Sequence, residues 1–285
     1  MWELDNRKRL AIQGIAALIQ NAHFKGFFTG QIYQGNVKNI CVPGLNCYSC
    51  PGAVGACPIG SLQNSLSGMT VRFPYYVLGL LIFFGAVLGR AVCGFLCPFG
   101  LLQDLLNRIP FPKKIRAFKG DRKLRNLKYA VLIILVIAVP LFVRLTPAFC
   151  KYLCPSGTLS GILLSLSDTR LFAVLGGRFV WKVCLLIAVV LLSIMIYRPF
   201  CKYLCPLGAI YAPFNRISAL HMACDRTACI SCGACKDICG MGADPSRDPD
   251  DPECIRCGQC IRECPAKALS YEFGIRKEEK IKDPA

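Results

Sequence analysis

Two stretches in the last quarter of the chain decide how that part folds: Cys229-Ile-Ser-Cys232-Gly-Ala-Cys235-Lys-Asp-Ile-Cys239 and Cys254-Ile-Arg-Cys257-Gly-Gln-Cys260-Ile-Arg-Glu-Cys264-Pro265. Both stretches have the spacing C-x2-C-x2-C-x3-C, so each presents four thiols on a short loop. Packing gives no reason for cysteines to recur at such short intervals, whereas thiolates are strong ligands for soft metals. The doubled spacing therefore predicts metal binding.

The same spacing is typical of two [4Fe–4S] clusters in which the fourth cysteine of each run ligates the other cluster. Zinc is the alternative, but zinc sites use paired CxxC units four ligands at a time. Backbone amides in such short loops should point at the sulfurs. We expect two ligand sets: Cys229, Cys232, Cys235 and Cys264 for cluster 1, and Cys254, Cys257, Cys260 and Cys239 for cluster 2.

Two residues near these runs stand outside the pattern. Gly240 occupies the place where the second run has Pro265. That position shapes the turn and ligates nothing, so the pattern still predicts both clusters. Cys224 precedes the first run and has no assignment from the spacing.

The rest of the composition is that of a membrane protein. The 285 residues are 54% hydrophobic, carry a formal charge of +17 and include 20 cysteines. A nucleic-acid-binding protein would be basic and polar, so we expect no nucleic-acid partner. A chain that is basic and apolar suggests a membrane protein with its positive charge on one side. The two histidines, His23 and His221, argue against a bis-histidine haem.

Four apolar segments predict four transmembrane helices, at about 10–28, 73–92, 129–149 and 179–197. The last three are long enough to cross a hydrocarbon core of ~30 Å, whereas the first contains several polar residues. Buried helices of a soluble protein are the alternative. Three long uncharged runs in one chain are unusual outside membranes, which favours the membrane.

Loop charges predict the orientation. Nine lysines and arginines lie between Arg108 and Lys128 against one acid, Asp121, so this loop and both termini should be cytoplasmic. We expect a mainly α-helical, multi-pass protein of the cytoplasmic membrane with short interfacial helices. Its parts would be a four-helix transmembrane domain (1–218), a small cytoplasmic α+β ferredoxin-like domain (219–272) and a charged tail (273–285).

A second motif, CxxxCP followed by one residue and glycine, begins at Cys93, Cys150 and Cys201, and a looser copy joins Cys50 to Cys57-Pro58. Proline can start a helix at its first position, so these cysteines should lie at helix junctions near the membrane surface. Counting helix crossings sorts them by membrane face. Cluster 3 would take the cytoplasmic Cys93, Cys97, Cys201 and Cys205, and cluster 4 the outer Cys50, Cys57, Cys150 and Cys154, with Cys47 able to replace Cys50.

Other roles for these thiols stay open. The outer cysteines could form a disulfide, or the pairs could be unliganded structural thiols. Cys41 is spare in the outer loop. Cys184 lies within the last apolar segment and is expected to be a small buried hydrophobic residue.

The outer loop from Cys41 to Pro58, the three CxxxCP motifs and the doubled C-terminal motif together resemble the membrane-bound polyferredoxin-like 4Fe–4S proteins. The NapH-type quinol dehydrogenase subunit of periplasmic nitrate reduction and the membrane part of the NosR-type maturation protein belong to this family. The resemblance covers nearly the whole chain. It implies electron transfer between a cytoplasmic or quinone pool and an extracytoplasmic acceptor. Those types carry two CxxxCP motifs, whereas this chain has three and the looser fourth.

We therefore expect an electron-transfer subunit of a membrane oxidoreductase complex, embedded in lipid. It would link a cytoplasmic donor, through four [4Fe–4S] clusters, to an extracytoplasmic flavoprotein or reductase. One alternative is a quinol dehydrogenase subunit, for which His23 is the candidate quinone contact. Another is an electron donor for metalloprotein maturation. Clusters at opposite faces of a ~30 Å core would couple poorly unless both were sunk inward.

Overall fold

The computed structural model describes residues 6–68, 73–112, 114–115, 120–143, 146–167 and 176–274, so the expected charged tail lies, beyond Gly274, outside the described residues. Within these ranges the chain is mainly helical, with one two-stranded sheet of β1 (Leu220–Cys224) and β2 (Leu269–Phe273). The α-helices are Asn6–Gln20, Lys25–Thr29, Pro58–Ser67, Tyr75–Leu88, Ala91–Phe95, Pro98–Asn107, Asp121–Leu124, Leu127–Val131, Val139–Phe142, Pro155–Ser167, Gly177–Met195, Pro199–Tyr203, Pro206–Tyr211, Ala234–Ile238 and Gln259–Arg262. Short 3₁₀ turns at Asn36–Asn39 and Pro213–Arg216, and π-helical turns at Leu132–Ala138 and Phe149–Leu153, complete the elements.

Two helical stretches among the described residues are long and apolar enough to cross a membrane: Asp121–Phe142, with 22 residues, and Gly177–Met195, with 19. Only 22% and 17% of their most apolar windows are buried, so most of their apolar surface points away from the protein, as lipid contact requires. A third apolar helix, Tyr75–Leu88, has 14 residues. The expectation of four spans is not confirmed; the mainly helical architecture with a small sheet is.

The first expected span, at about 10–28, is too short and too polar in the structure to count as a membrane-crossing helix. It forms a 15-residue helix, Asn6–Gln20, whose buried side chains are Arg9, Gln13 and Gln20. These side chains donate to backbone carbonyls of residues 94–97: Arg9 to Gly94 (3.1 Å), Gln13 to Cys97 (2.9 Å) and Gln20 to Leu96 (2.8 Å). The polar face of this helix therefore satisfies carbonyls that a helix junction leaves without partners.

The CxxxCP motifs share one local structure, as the proline predicted. The second cysteine of each is extended, with ψ between 109° and 115°, and the following proline begins a new helix. Cys57 of the looser copy is extended too, with ψ 128°, before the helix that starts at Pro58. All four cysteine pairs therefore reach helix junctions.

The C-terminal segment forms a small core of its own. Strands β1 and β2 pair antiparallel, with Leu220 opposite Phe273 and Cys224 opposite Leu269. Met222, Ala243 and Leu269 pack there against buried cysteines of the two C-terminal runs.

Buried polar contacts attach this segment to the preceding helices. The side-chain amide of Asn215 donates to the carbonyls of Asp251 (2.9 Å) and Cys254 (2.7 Å), and its oxygen accepts from the Arg90 amide (2.8 Å). Arg256 donates to the Leu88 carbonyl at 2.9 Å. The two parts of the chain are thus joined through hydrogen bonds that water cannot replace.

Replacing Asn215 with alanine should loosen this attachment. Each buried group left without a partner costs about 1–3 kcal/mol, so amide hydrogen exchange within residues 220–274 should accelerate. The matched control is Asn64→Ala, because Asn64 is exposed. Equal exchange in the two variants would show that Asn215 does not hold the segments together.

Candidate metal centres

The first group of cysteines, set 1, surrounds a single cavity. Its members Cys229, Cys232, Cys235 and Cys264 all line that cavity, and the fourth member comes from the other run. These are the four residues that the sequence analysis proposed for cluster 1. Cys224, at the end of β1, lines the same cavity and hydrogen-bonds to Cys229. Its position could not be inferred from the spacing, because the strand pairing places it there.

The second group, set 2, lines a second cavity and consists of Cys239, Cys254, Cys257 and Cys260. Burial raises the pKa of the Cys254 thiol to about 12, and the neighbouring thiolates of Cys257 and Cys239 add to the shift. A thiol of this kind keeps its proton at neutral pH unless a bound metal displaces it.

The two runs repeat the same backbone conformation. Ser231 and Arg256, at matching positions, have φ values of 55° and 54°, in the left-handed region. A turn through one left-handed residue can direct neighbouring backbone amides toward a common centre. The Arg256 amide donates to the Cys254 sulfur at 3.4 Å, which is the amide-to-sulfur contact expected of these loops.

A third group, set 3, lies among the helix junctions. It consists of Cys93, Cys97, Cys201 and Cys205, all of them buried. The Cys205 thiol lies within electrostatic range of the other three. Gln103 donates to the Cys201 sulfur at 3.1 Å. The structure therefore brings together all four residues proposed for cluster 3.

The fourth group, set 4, joins the outer loop to the middle CxxxCP motif. Cys150 lies within electrostatic range of Cys154, Cys57 and Cys47, and Cys154 lies within range of Cys47 and Cys57. The Gly157 amide donates to the Cys154 sulfur at 3.4 Å. We define set 4 as Cys47, Cys57, Cys150 and Cys154.

Set 4 thus contains Cys47 where the sequence placed Cys50 first and Cys47 second. The Cys50 amide donates to the Cys47 carbonyl at 3.0 Å, which closes a tight turn between the two residues. Cys50 is buried, and the Lys38 ammonium lies within electrostatic range of both Cys50 and Cys47. Sequence spacing does not resolve such a turn, because both cysteines are within reach of Cys57 along the chain.

Three other residues singled out in the sequence have different surroundings. Cys184 is exposed on the Gly177–Met195 helix, so the expectation of a buried residue was wrong. It lies on the exposed apolar surface of this helix, which is long and apolar enough to cross a membrane. Cys41 is buried and donates to the Ser61 hydroxyl at 3.4 Å. The His23 ring bonds to the Pro51 carbonyl at 2.9 Å and thus contacts the outer loop.

The donor chemistry of the four sets fits iron–sulfur clusters. Each set offers four cysteine sulfurs, the ligand complement of a [4Fe–4S] cluster. Among the residues that the structure describes, no three His, Cys, Asp or Glu side chains are close enough to hold a single ion.

Adjacent sets approach one another through two glycines. A Cβ atom on Gly94, next to Cys93, would lie 2.5 Å from the carbonyl oxygen of Ile255, next to Cys254. A Cβ atom on Gly44 would lie 2.9 Å from the Cα of Cys97. Glycine is required at both positions, because any side chain would push the backbones apart.

Gly240 makes a third close approach. A Cβ there would lie 2.6 Å from the Tyr197 ring. Gly240, which stands where the second run has Pro265, therefore lets Tyr197, just after the Gly177–Met195 helix, pack against set 2.

Comparisons with known proteins show similarity to 4Fe-4S binding domains. A family model described as a 4Fe-4S binding domain matches residues 73–119, 127–172 and 177–222, and a second model of the same description matches 249–270. Among curated proteins, an uncharacterised protein of Methanocaldococcus jannaschii, MJ0750, is 32% identical over 200 residues, covering 67% of this chain and 75% of the relative.

Two further relatives have descriptive names. The putative electron transport protein YccM of Escherichia coli is 27% identical over 80% of this chain and 65% of its own length. The ferredoxin-type protein NapH of Haemophilus influenzae is 26% identical over 67% of this chain and 66% of its own length. No solved structure matches the chain.

Serine variants of the two neighbouring cysteines should differ in metal content. Cys47→Ser should lose about a quarter of the bound iron, the share of one cluster of four, because its thiol belongs to set 4. Cys50→Ser is the matched control and should keep all of its iron. Iron analysis of the purified variants measures this, and loss of iron in Cys50→Ser alone would reverse the assignment.

Proposed function

The chain belongs to the membrane-bound polyferredoxin-like 4Fe–4S protein family, and on that basis we propose that it conducts electrons across the membrane through four clusters. Sets 1 to 4 would each hold one [4Fe–4S] cluster. A cytoplasmic donor would supply electrons to residues 219–272, and an extracytoplasmic flavoprotein or reductase would receive them from set 4. The transmembrane part, residues 1–218, would cross the membrane several times, with both chain ends in the cytoplasm.

The observation that carries the proposal is that the four sets form one unbroken series of contacts. Bound clusters would take up and pass on single electrons. The protein then has to keep successive clusters a short distance apart and to exclude water between them. Sets 1 and 2 share the core of the C-terminal segment, which includes Cys235, Cys254 and Cys260.

The step from set 2 to set 3 crosses from the C-terminal segment to the helices. Ile255 follows Cys254 directly, and its carbonyl lies against Gly94, which follows Cys93 directly. A path along covalent bonds and one backbone contact therefore links the two sets. Ile255 is also 1% exposed, so water does not enter at this contact.

The step from set 3 to set 4 depends on the outer loop reaching inward. Gly44 of this loop packs on Cys97, and the Tyr211 hydroxyl donates to the Pro43 carbonyl at 3.2 Å. Tyr211 is fully buried and lies within electrostatic range of Cys93 and Cys97. The neighbouring helix Tyr75–Leu88 rises about 21 Å, less than a ~30 Å core. Both sets would thus be sunk below the membrane faces.

Aromatic packing excludes water around set 3. Phe99 and Phe200, each directly beside a set 3 motif, meet edge to face with ring centroids 5.3 Å apart, and both are buried. A dry surrounding would keep electrons from escaping to dissolved oxidants.

The names of the relatives support the same class of activity, since one is called an electron transport protein and another ferredoxin-type. A quinol as the electron source has no comparable support from the geometry. The candidate contact is His23, and its Nδ1 hydrogen-bonds to the Pro51 carbonyl. Its ring centroid lies 5.4 Å from that of Tyr33. Electron delivery for metalloprotein maturation would use the same path and would differ only in the acceptor.

Vesicles containing the purified protein test the proposal. With a reductant outside, added on the side of the C-terminal segment, and an impermeant acceptor trapped inside, the acceptor should be reduced. Vesicles with Cys47→Ser protein should not reduce it, because the last site is lost. No transfer by protein that holds all of its iron would contradict the conduit.

A glycine variant tests the path itself. Gly94→Ala should slow reduction of the trapped acceptor while iron content is kept, because the added methyl group separates sets 2 and 3. The matched control is Gly79→Ala, since a Cβ at Gly79 meets nothing within 4 Å. Equal rates in the two variants would mean that electrons do not cross at the Gly94 contact.

A further inference from the structure

Buried positive charges outnumber buried negative charges around set 3. Among the described residues, three largely buried carboxylates each lie between two cations, and we call these groups triads. They are Arg9–Asp104–Arg198 (2.8 and 2.6 Å), Arg90–Glu253–Lys128 (2.7 Å for the arginine) and Arg125–Asp121–Lys202 (2.8 Å for the lysine). Each triad has two positive charges and one negative charge, so each retains an excess of one positive charge.

An excess charge at this depth is costly. The side chains of Arg90, Arg198, Lys128 and Lys202 have no solvent exposure. A buried charge without a counter-charge is strongly destabilising, so the surroundings should supply an anion. A thiolate-ligated cluster at set 3 would be such an anion.

Two of the triads are directed at set 3. Arg90 hydrogen-bonds Cys93, lies within electrostatic range of Cys201 and donates to the Cys201 carbonyl at 3.3 Å. Arg198 lies within electrostatic range of Cys93 and Cys201 and donates to the Cys93 carbonyl at 2.5 Å. In each of these two triads, one arginine therefore hydrogen-bonds to the backbone carbonyl of a set 3 cysteine and lies within electrostatic range of the same cysteine's sulfur.

We propose that Arg90 and Arg198 are positioning residues that raise the reduction potential of the cluster held by set 3, so that it accepts electrons from the C-terminal segment. The inference rests on the proposed function, because it requires a cluster at set 3. With clusters bound, one electron would pass from the cluster held by set 2, which would be oxidised, to the cluster held by set 3, which would be reduced. No proton is transferred, and no covalent bond forms or breaks.

The sign follows from charge. Reduction adds one negative charge to a cluster that is already anionic, and burial away from water disfavours that change. Fixed cations within a few ångströms stabilise the reduced form more than the oxidised form, and so raise the potential. Gln103 adds to this by donating to the Cys201 sulfur at 3.1 Å. Together these groups offset the effect of burial.

The Glu253 carboxylate gives the proposal an internal check. It belongs to the C-terminal segment, pairs with Arg90, and partly neutralises the cation that faces Cys93. Removing Arg90 and removing the carboxylate should therefore shift the potential in opposite directions. A purely structural role for the pair predicts no such opposition, because both changes would break the same contact.

The experiment is a redox titration of the full-length protein followed by electron paramagnetic resonance. The set 3 signal is identified as the component missing from Cys201→Ser. Its midpoint should fall in Arg90→Gln and Arg198→Gln, return toward the wild-type value in Arg90→Lys, and rise in Glu253→Gln. The matched control is Arg125→Gln, which removes a cation paired with Asp121 and hydrogen-bonded to the Gly242 carbonyl; it should leave the midpoint unchanged.

The outcomes separate this inference from the proposed function. If all variants keep the component and its midpoint stays fixed, or moves the same way in Arg90→Gln and Glu253→Gln, the inference is overturned and the conduit stands. If wild-type protein has no component that Cys201→Ser removes, the cluster at set 3 is absent and both fail.

Discussion

Each set of thiols draws its members from two separate parts of the chain, and the rest of the structure depends on that constraint. Set 3 joins residues 93–97 to 201–205, and set 4 joins the outer loop to residues 150–154. Sets 1 and 2 exchange their fourth cysteines between runs. Ligation would thus cross-link segments far apart in sequence, and the helices have to begin and end where the ligands are needed. The prolines that follow Cys57, Cys97, Cys154 and Cys205 fix those ends.

The ligand sets of the C-terminal segment could be proposed from cysteine spacing, because three of the four cysteines in each set lie close together in one run. Helix junctions at the CxxxCP motifs also followed from proline chemistry alone. The choice between Cys47 and Cys50 did not, because it depends on a single turn. Cys224 reaches set 1 only through the pairing of β1 with β2, which no spacing records. The first helix was overestimated as a span because its glutamines and arginine serve a neighbouring junction.

Positive charge has two separate roles in this protein. In the proposed topology, the cations of the loop between Arg108 and Lys128 would keep that loop in the cytoplasm. A second group is buried among the helices, where it is shared between three carboxylates and the thiol sets. If the thiol sets hold anionic clusters, part of the high net charge of the chain would compensate for them. The same buried groups attach the C-terminal segment through Arg90 and Glu253, so charge compensation and assembly use the same contacts.

The central claim is that four clusters occupy one chain, and counting iron and acid-labile sulfide per protein molecule tests it most directly. Protein purified without exposure to oxygen should contain about sixteen of each, four for every set. About eight of each would mean that only the two C-terminal sets hold clusters, and the series of contacts through the helices would then not be an electron path.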